Sequence, residues 1–340
     1  MALATDIQRC FDQGWTDGLP VIPPYVSHVA RMLDEMGWSA ADVAGELKAL
    51  GLEVRAEQVA ATAVMAGCKP EYGRLLRALA EALLVPEFNL AGAAVTTGGP
   101  GILVVVSGPI AGELEFAHGA NALGAGVRAN ATVGRFAGLM RTFCGRAGGV
   151  LEEFGTLGHP GRLGFCVAEH PATEWPSFHT QFGFAPSDSA VTIMAAEGPN
   201  SVNNHYAESG EKVLETIADC IAHYGSTNYY WRGFGSPRRS GYLVVLGPEH
   251  MQLIAKDFTR DAARRFLFEH SVRSTDELVR LGRIPRESRP EFCVELGVPR
   301  GPVGLEEQLT FVESGCPGGK FSAVIPGWVG NYTVSRKVGP

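Results

Sequence analysis

The feature that most constrains this chain is a repetition. A helical pattern over residues 70–84 is followed by apolar runs at 88–97 and 101–107, the pair Gly108-Pro109, and a second helical pattern at 131–142. The same order returns as a helical pattern at 212–224, apolar runs at 227–234 and 241–246, Gly247-Pro248, and a helix at 260–270. Leu75-Leu76 aligns with Val213-Leu214 at an offset of 138 residues, and Gly108-Pro109 aligns with Gly247-Pro248 at 139. Short apolar runs that end in Gly or Pro read as strands, and runs with a 3.6-residue period read as helices. The expectation is an α/β protein, with α+β as the alternative, built from duplicated helix–strand–strand–helix units around a pseudo-twofold. A spacing this long is not a solenoid period. It points to duplication, with a pocket where the copies face each other.

Downstream the offset shrinks. Arg135 matches Arg265 only if the second copy lacks about nine loop residues, which puts residues 113–128 on an insertion. Two further strand patterns, 309–313 and 320–325, flank the turn Ser314-Gly315-Cys316-Pro317-Gly318-Gly319 and suggest a partial third unit. Before the first copy, Asp17-Gly18-Leu19-Pro20-Val21-Ile22-Pro23-Pro24 reads as an extended arm, and residues 28–36 and 40–50 read as short helices capped by Ser27 and Ser39. The expected organisation is an arm with short helices (1–58), a first unit (59–150), a connecting segment (151–200), a second unit (201–275) and a C-terminal segment (276–340).

A 45% hydrophobic content with 19% charged residues is that of a globular chain with a sizeable core, and the net charge of −7 with no long Lys/Arg run argues against a nucleic-acid partner. Residues 1–17 lack the pattern of a signal peptide, and no apolar run approaches the ~18 residues needed to span a bilayer. The seven cysteines are scattered without a CxxC pair, which fits reduced thiols better than a disulfide framework. The cytoplasm is the expected location.

Five segments carry a family resemblance: the arm at 17–24, Ala63-Val64-Met65-Ala66-Gly67-Cys68-Lys69-Pro70-Glu71-Tyr72, Arg128-Ala129-Asn130-Ala131-Thr132-Val133-Gly134-Arg135, Gly158-His159-Pro160-Gly161, and Leu246-Gly247-Pro248-Glu249-His250. Together with the C-terminal stretch 318–328, they resemble a largely uncharacterised bacterial family of about this length associated with small UGSC-motif (seleno)proteins. The resemblance implies a thiol or redox context and a small thioredoxin-like UGSC-type protein as a partner. It brings no reaction with it. Cys316 departs from the plain Gly-rich turn of the family pattern.

Cys68 is the leading candidate nucleophile. With Pro70 opening a helix, Cys68 would sit near unpaired N–H groups and beside Lys69, where a thiolate is stabilised; the alternative is that Cys68 simply packs in the core. In the second copy the matching position falls at Tyr206, beside Asn203-Asn204-His205, so His205 is the expected proton partner, with Asn203 and Asn204 forming a turn as the plainer reading. Arg128, Asn130 and Arg135, approached by Gly124-Ala125-Gly126, form an expected anion site. Tyr72, Thr97 and Asn204 are further substrate-binding candidates. Among the loop histidines His118, His159, His179, His205 and His250, the pair Glu249-His250 stands where the first copy has Ile110-Ala111, a divergence toward polarity that adds both to the catalytic set. These residues point to an enzyme acting on a small anionic substrate through a cysteine-based site, by hydrolysis, addition–elimination or thiol transfer. The alternatives are a metal-dependent lyase or hydrolase, with zinc held by Cys68, His205 and His250, and a non-catalytic accessory subunit of a redox protein. No organic cofactor signature is present, and a homodimer is the default assembly.

Overall fold

A computed structural model describes residues 2–124, 126–147, 154–231, 241–284 and 299–339. The core is set by two central strands that are buried on both faces, β3 (Gly101–Ser107) and β7 (Tyr242–Leu246). Their side chains alternate between two environments, as the two-residue period of a strand requires. In β3, Ile102, Val104 and Val106 face a helical layer, whereas Leu103 and Val105 meet Leu243 and Val245 of β7. In β7, Tyr242, Val244 and Leu246 face a second helical layer. The result is four layers, helices–sheet–sheet–helices, with two four-stranded sheets back to back.

The first sheet has the order β12-β5-β3-β4, adding β4 (Phe165–Ala168), β5 (Ala190–Ala196) and β12 (Val334–Lys337). The second has the order β10-β7-β11-β6, adding β6 (Asn200–Asn203), β10 (Leu309–Glu313) and β11 (Phe321–Pro326). Both sheets follow one pairing pattern. Each central strand pairs in parallel on one side, β3 with β4 and β7 with β10, and antiparallel on the other, β3 with β5 and β7 with β11. The outer strands are exchanged: β6 follows β5 in the chain but pairs with β11, and β12 follows β11 but pairs with β5. Each half therefore supplies the edge of the other.

The first helical layer comprises α2 (Val26–Met36), α3 (Ala56–Ala66), α4 (Gly73–Leu83), α5 (Leu90–Val95) and α7 (Arg128–Ala147). α8 (Gly210–Ile221), α10 (Pro248–Asp257) and α11 (Arg260–His270) form the second. α1 (Ala2–Asp12), α6 (Pro109–Glu113), α9 (Thr227–Trp231), α12 (Thr275–Arg280), the hairpin of β1 (Val43–Leu47) and β2 (Leu52–Arg55), and the short pair β8 (Arg273–Ser274) and β9 (Pro299–Arg300) complete the described chain. Among the described residues no single helix is long and apolar enough to cross a membrane.

The α/β class is as expected, but several elements differ. The apolar run at 88–97 is not a strand: Asn89, at φ 52, caps α5 by accepting the Gly92 N–H. The run at 227–234 likewise begins as helix α9, and residues 232–234 lie outside the described residues. A short run satisfies either period, and at α5 the Asn89 cap favours the helix. Residues 40–50 form β1 and a 3-10 turn that Gly51 (φ 59) closes, not a helix. The strands at 309–313 and 321–326 do not start a third unit. They flank β7 as β4 and β5 flank β3, and the 151–200 segment supplies β4 and β5.

The Gly-Pro landmarks have a steric cause. A Cβ on Gly108 would stand 2.2 Å from Asp188 O, and one on Gly247 would stand 2.2 Å from Phe321 O, so in each half the chain leaving the central strand presses on the start of its antiparallel neighbour. Gly108 also has φ 83. We expect Gly108→Ala and Gly247→Ala each to lower stability by about 2 kcal/mol, with Gly108→Ala the worse. The exposed Gly112, with nothing within 4 Å of its added Cβ, should tolerate alanine. Urea unfolding of the three variants measures this.

Candidate functional site

The parallel strands β3, β4, β7 and β10 bring their carboxyl ends to one region, where the His170 N–H donates to Glu313 O at 2.8 Å and ties the end of β4 to the end of β10. Glu169 and Glu313 occupy matching positions. Glu313 pairs with Leu246, the residue before Gly247-Pro248, and Glu169 follows Ala168, the partner of Val106, so it stands beside Ser107 before Gly108-Pro109. Both carboxylates hold the same loop. Glu169 accepts the Phe178 N–H, and Glu313 accepts the N–H groups of Glu174 and Trp175 at 2.9 and 3.1 Å.

Glu169 lines a cavity of about 280 Å³ with Gly108, His118, His170 and Ser177. It is buried, and desolvation pushes its carboxyl up to about 7, reinforced by Glu313 and opposed by the Phe178 and Gly108 N–H groups and by Arg260. His118 stands edge-on to His170 with ring centroids 4.8 Å apart, and its Nδ1 is buried with no hydrogen-bond partner among the described residues. Burial, followed by the neighbouring His170, holds His118 below the ordinary histidine range, so the ring is neutral near pH 7. His118 belongs to the loop placed on an insertion by the sequence. Its carbonyl accepts the Gly315 N–H at 2.8 Å and lies 3.2 Å from Ser314 Oγ.

The same loop, through Asn121 and Leu123, walls a second cavity of about 470 Å³ at the ends of β7 and β10, together with Cys316, Lys320 and Ser322. Four of the residues expected from sequence do not line it but bond to or pack against residues that do. Glu249 accepts the N–H groups of Gly318 and Gly319 and so pins the Gly-rich turn; the Gly318 bond outweighs burial, which acts the other way, and holds its carboxyl below the usual range. His250 is buried between Ser322 Oγ, 2.9 Å from Nδ1, and Asn204 O, 3.5 Å from Nε2. Asn204 donates to Thr216 Oγ1 at 2.8 Å. His205 contacts the Asn203 side chain and stands edge-on to Phe321, and the Lys320 ammonium donates to its carbonyl.

The remaining candidates lie elsewhere. Cys68 is buried in the first helical layer, where Sγ reaches Thr132 O at 3.4 Å, and burial pushes the thiol up to about 12. This is the reverse of the expected activation: Pro70 opens a 3-10 turn, and Lys69 pairs with Glu115. Cys68 and His205 belong to different halves. Tyr72 packs in the core beside Phe116. The expected anion site grips the chain itself: Arg128 donates twice to Gly67 O, Asn130 exchanges two hydrogen bonds with the Ala117 backbone, and Arg135 forms a bidentate pair with Asp17 and bonds Leu19 O and Pro20 O. Ala125 lies outside the described residues. Thr97 accepts the Thr156 N–H in the segment entering β3, at the opposite end from Gly108. His159 accepts the Gly101 N–H through Nε2 at 3.0 Å, and His179 is buried beside Ala185 O. Among the described residues no three His, Cys, Asp or Glu side chains converge as a metal ligand set.

Glu169 and Ser322 escaped the sequence reading. Glu169-His170-Pro171 carried one usable signal, an acidic and a basic residue directly after an apolar strand and before a proline. Ser322 carried none. No protein-family model matches the chain, and neither the curated proteins nor the solved structures contain a significant match. The site is therefore interpreted from its own chemistry.

Two expectations follow. Burial raises the Asp17 pKa, but the hydrogen bond and charge of Arg135 outweigh it and hold the carboxyl below the usual range. Arg135→Ala should cost about 2 kcal/mol at neutral pH by leaving Asp17 unpaired. The wild-type advantage is present above the ordinary aspartate pKa of about 3.9 and disappears as pH falls through the lowered folded value; urea titrations at pH 7 and below 4 check the sign. Alkylation with iodoacetamide at pH 7.5, mapped by mass spectrometry, should modify the exposed Cys316 and spare the buried Cys68 until the protein is unfolded.

Proposed function

We propose that this protein is an enzyme of small-molecule metabolism whose central event is proton transfer by Glu169 in the cavity shared with His118 and His170. The observation that carries the reading is a buried carboxyl pushed up to about 7 that lines a cavity beside a histidine nitrogen without a partner. Such a carboxyl populates both protonation states near neutral pH, which suits a general acid–base catalyst. Its position is supported by the loop it holds, since the Phe178 N–H fixes the carboxylate while the cavity gives a substrate access. His118 supplies a neutral imidazole whose Nδ1 can meet a substrate hydroxyl or carbonyl. Isomerisation, elimination and hydration are the reaction classes that need only such a pair.

A second reading is favoured by one observation. Cys316 is exposed and lines the larger cavity, so thiol chemistry fits Cys316 better than Cys68. Cys293 lies outside the described residues.

The test is the titration of Glu169. In protein labelled with 13C at glutamate carboxyls, one resonance should titrate near pH 7 and vanish in Glu169→Gln; a midpoint at the ordinary 4 to 5 would defeat the acid–base reading. The linkage has a definite sign. The folded pKa lies above the ordinary 4.5, so the protonated carboxyl stabilises the fold below that value and the contribution is lost as pH rises through 7. Wild type should lose about 3 kcal/mol relative to Glu169→Gln between pH 4.5 and pH 8, read by urea unfolding across that range.

A further inference from the structure

We propose that the substrate of the Glu169 cavity is a small uncharged polyhydroxy compound and that the cavity turns carboxylates and phosphates away. The inference rests on the acid–base reading of Glu169 and adds to it the class of molecule that occupies the site. The cavity is open to such a molecule. Pro109, Gly112, Pro171 and Pro186 on its lining are exposed and form its mouth, whereas Glu169 and Ala111 are buried and form its floor. At ~30 Å³ per water-sized group, a volume of about 280 Å³ holds roughly nine such groups, enough for a four-carbon polyol.

Charge sets the first requirement. Among the described residues no Lys or Arg lines the cavity, and its ionisable side chains are Glu169, His118 and His170. The neighbouring cations are engaged elsewhere. Arg260 of α11 donates to Pro176 O at 2.7 Å and to Thr180 Oγ1 at 3.1 Å, and Lys337 of β12 pairs with Asp188. Glu313, at the end of β10, adds a second carboxyl that acts on Glu169 by charge. A carboxylate seated within about 6 Å of ionised Glu169 would meet a repulsion equal to about a 100-fold loss of affinity at the effective dielectric of protein sites. An ammonium would pair with Glu169 and hold it ionised, which removes the proton-donating half of its cycle.

Hydrogen bonding sets the second requirement. Glu169 keeps the Phe178 N–H on one oxygen and otherwise accepts when ionised and donates when protonated. His118 Nδ1 has no partner among the described residues, and in a neutral imidazole it donates or accepts according to the tautomer. A hydroxyl both donates and accepts, so it satisfies Glu169 and His118 in each of these states, whereas an ionised carboxylate or phosphate only accepts. Ser177 on the lining offers a hydroxyl to a second oxygen of the same molecule, and Pro109, Ala111, Pro171 and Pro186 present apolar side chains to its C–H face.

Saturation-transfer NMR on the full chain at pH 8, where Glu169 is ionised, tests this with erythritol and with erythronate, its carboxylate counterpart. Erythritol should bind at least about 100-fold more tightly than erythronate. His118→Phe should weaken erythritol binding about tenfold. Glu169→Gln, which keeps a hydrogen-bonding group without the charge, should bring erythronate to within about tenfold of erythritol. The inference is overturned if erythronate binds the wild type as tightly as erythritol, if neither binds, if His118→Phe leaves erythritol binding unchanged, or if the exclusion of erythronate persists in Glu169→Gln. The Glu169 carboxyl titration keeps the two readings apart. A midpoint of about 7 with any of those results defeats the substrate class alone, and a midpoint at the ordinary value of about 4 to 5 defeats the acid–base reading and the substrate class with it.

Discussion

The dry layer between the two sheets holds the rest of the molecule in place. Leu103 and Val105 of one central strand and Leu243 and Val245 of the other bury their side chains against each other with Phe165, Met194, Val312 and Ile325. Each such side chain is worth about 1.5–3 kcal/mol when removed from water. Because strand side chains alternate, committing these residues to the middle forces their neighbours outward, where only a helical layer can cover them. The exchange of edge strands follows from the same layer. A chain leaving β5 through residues 197–199 reaches the second sheet directly, and one leaving β11 through 327–333 returns to the first, with Trp328 N bonded to Ala195 O on the way. Neither sheet is complete without a strand from the other half.

That architecture explains where the polar groups around the two cavities collect. The central strands β3 and β7 are committed to packing on both faces, so polar side chains collect mainly where these strands end and loops begin. The two parallel pairs end together, and the 114–127 loop crosses from one to the other. Its His118 carbonyl is held by the Ser314–Gly315 turn, its His118 ring faces one cavity, and its Asn121 and Leu123 wall the other. The second half has only residues 258 and 259 between the corresponding helices, so this loop is what turns two strand ends into two cavities.

Much of the frame was legible because it rests on local patterns. The Gly-Pro pairs marked the ends of both central strands, and β7, β10 and α11 lie where their apolar periods put them. Residues 88–97 and 227–234 failed for the same reason in each half. Stretches of only ten and eight residues do not choose between periods, and in the first the Asn89 cap starts a helix. The site was half legible. Glu249, His250 and Asn204 lie near one another behind the wall of the larger cavity without lining it, and the surroundings of the arginines and Cys68 could not be read one residue at a time. An arginine beside a glycine-rich approach looks the same in sequence whether it awaits an anion or, like Arg135, is already paired with Asp17 from an arm 118 residues away. Only the folded arm distinguishes them.

The matched halves also separate what the fold requires from what it permits. Glu169 and Glu313 share a position and a task, holding the 170–178 loop from both sides, and Glu169 also lines a cavity with His118, whose Nδ1 has no partner among the described residues. Burial pushes both carboxyls up, Glu169 to about 7 and Glu313 in the same direction, although Glu313 stays partly exposed. Burying Glu169 deeply enough to push its pKa toward neutrality sacrifices stability at physiological pH that the loop does not need. Ser322 and His250 likewise stand where the other half has buried alanines. Burying such groups costs free energy unless they are paired, and each is held by a hydrogen bond, Glu169 by the Phe178 N–H and His250 by Ser322 Oγ.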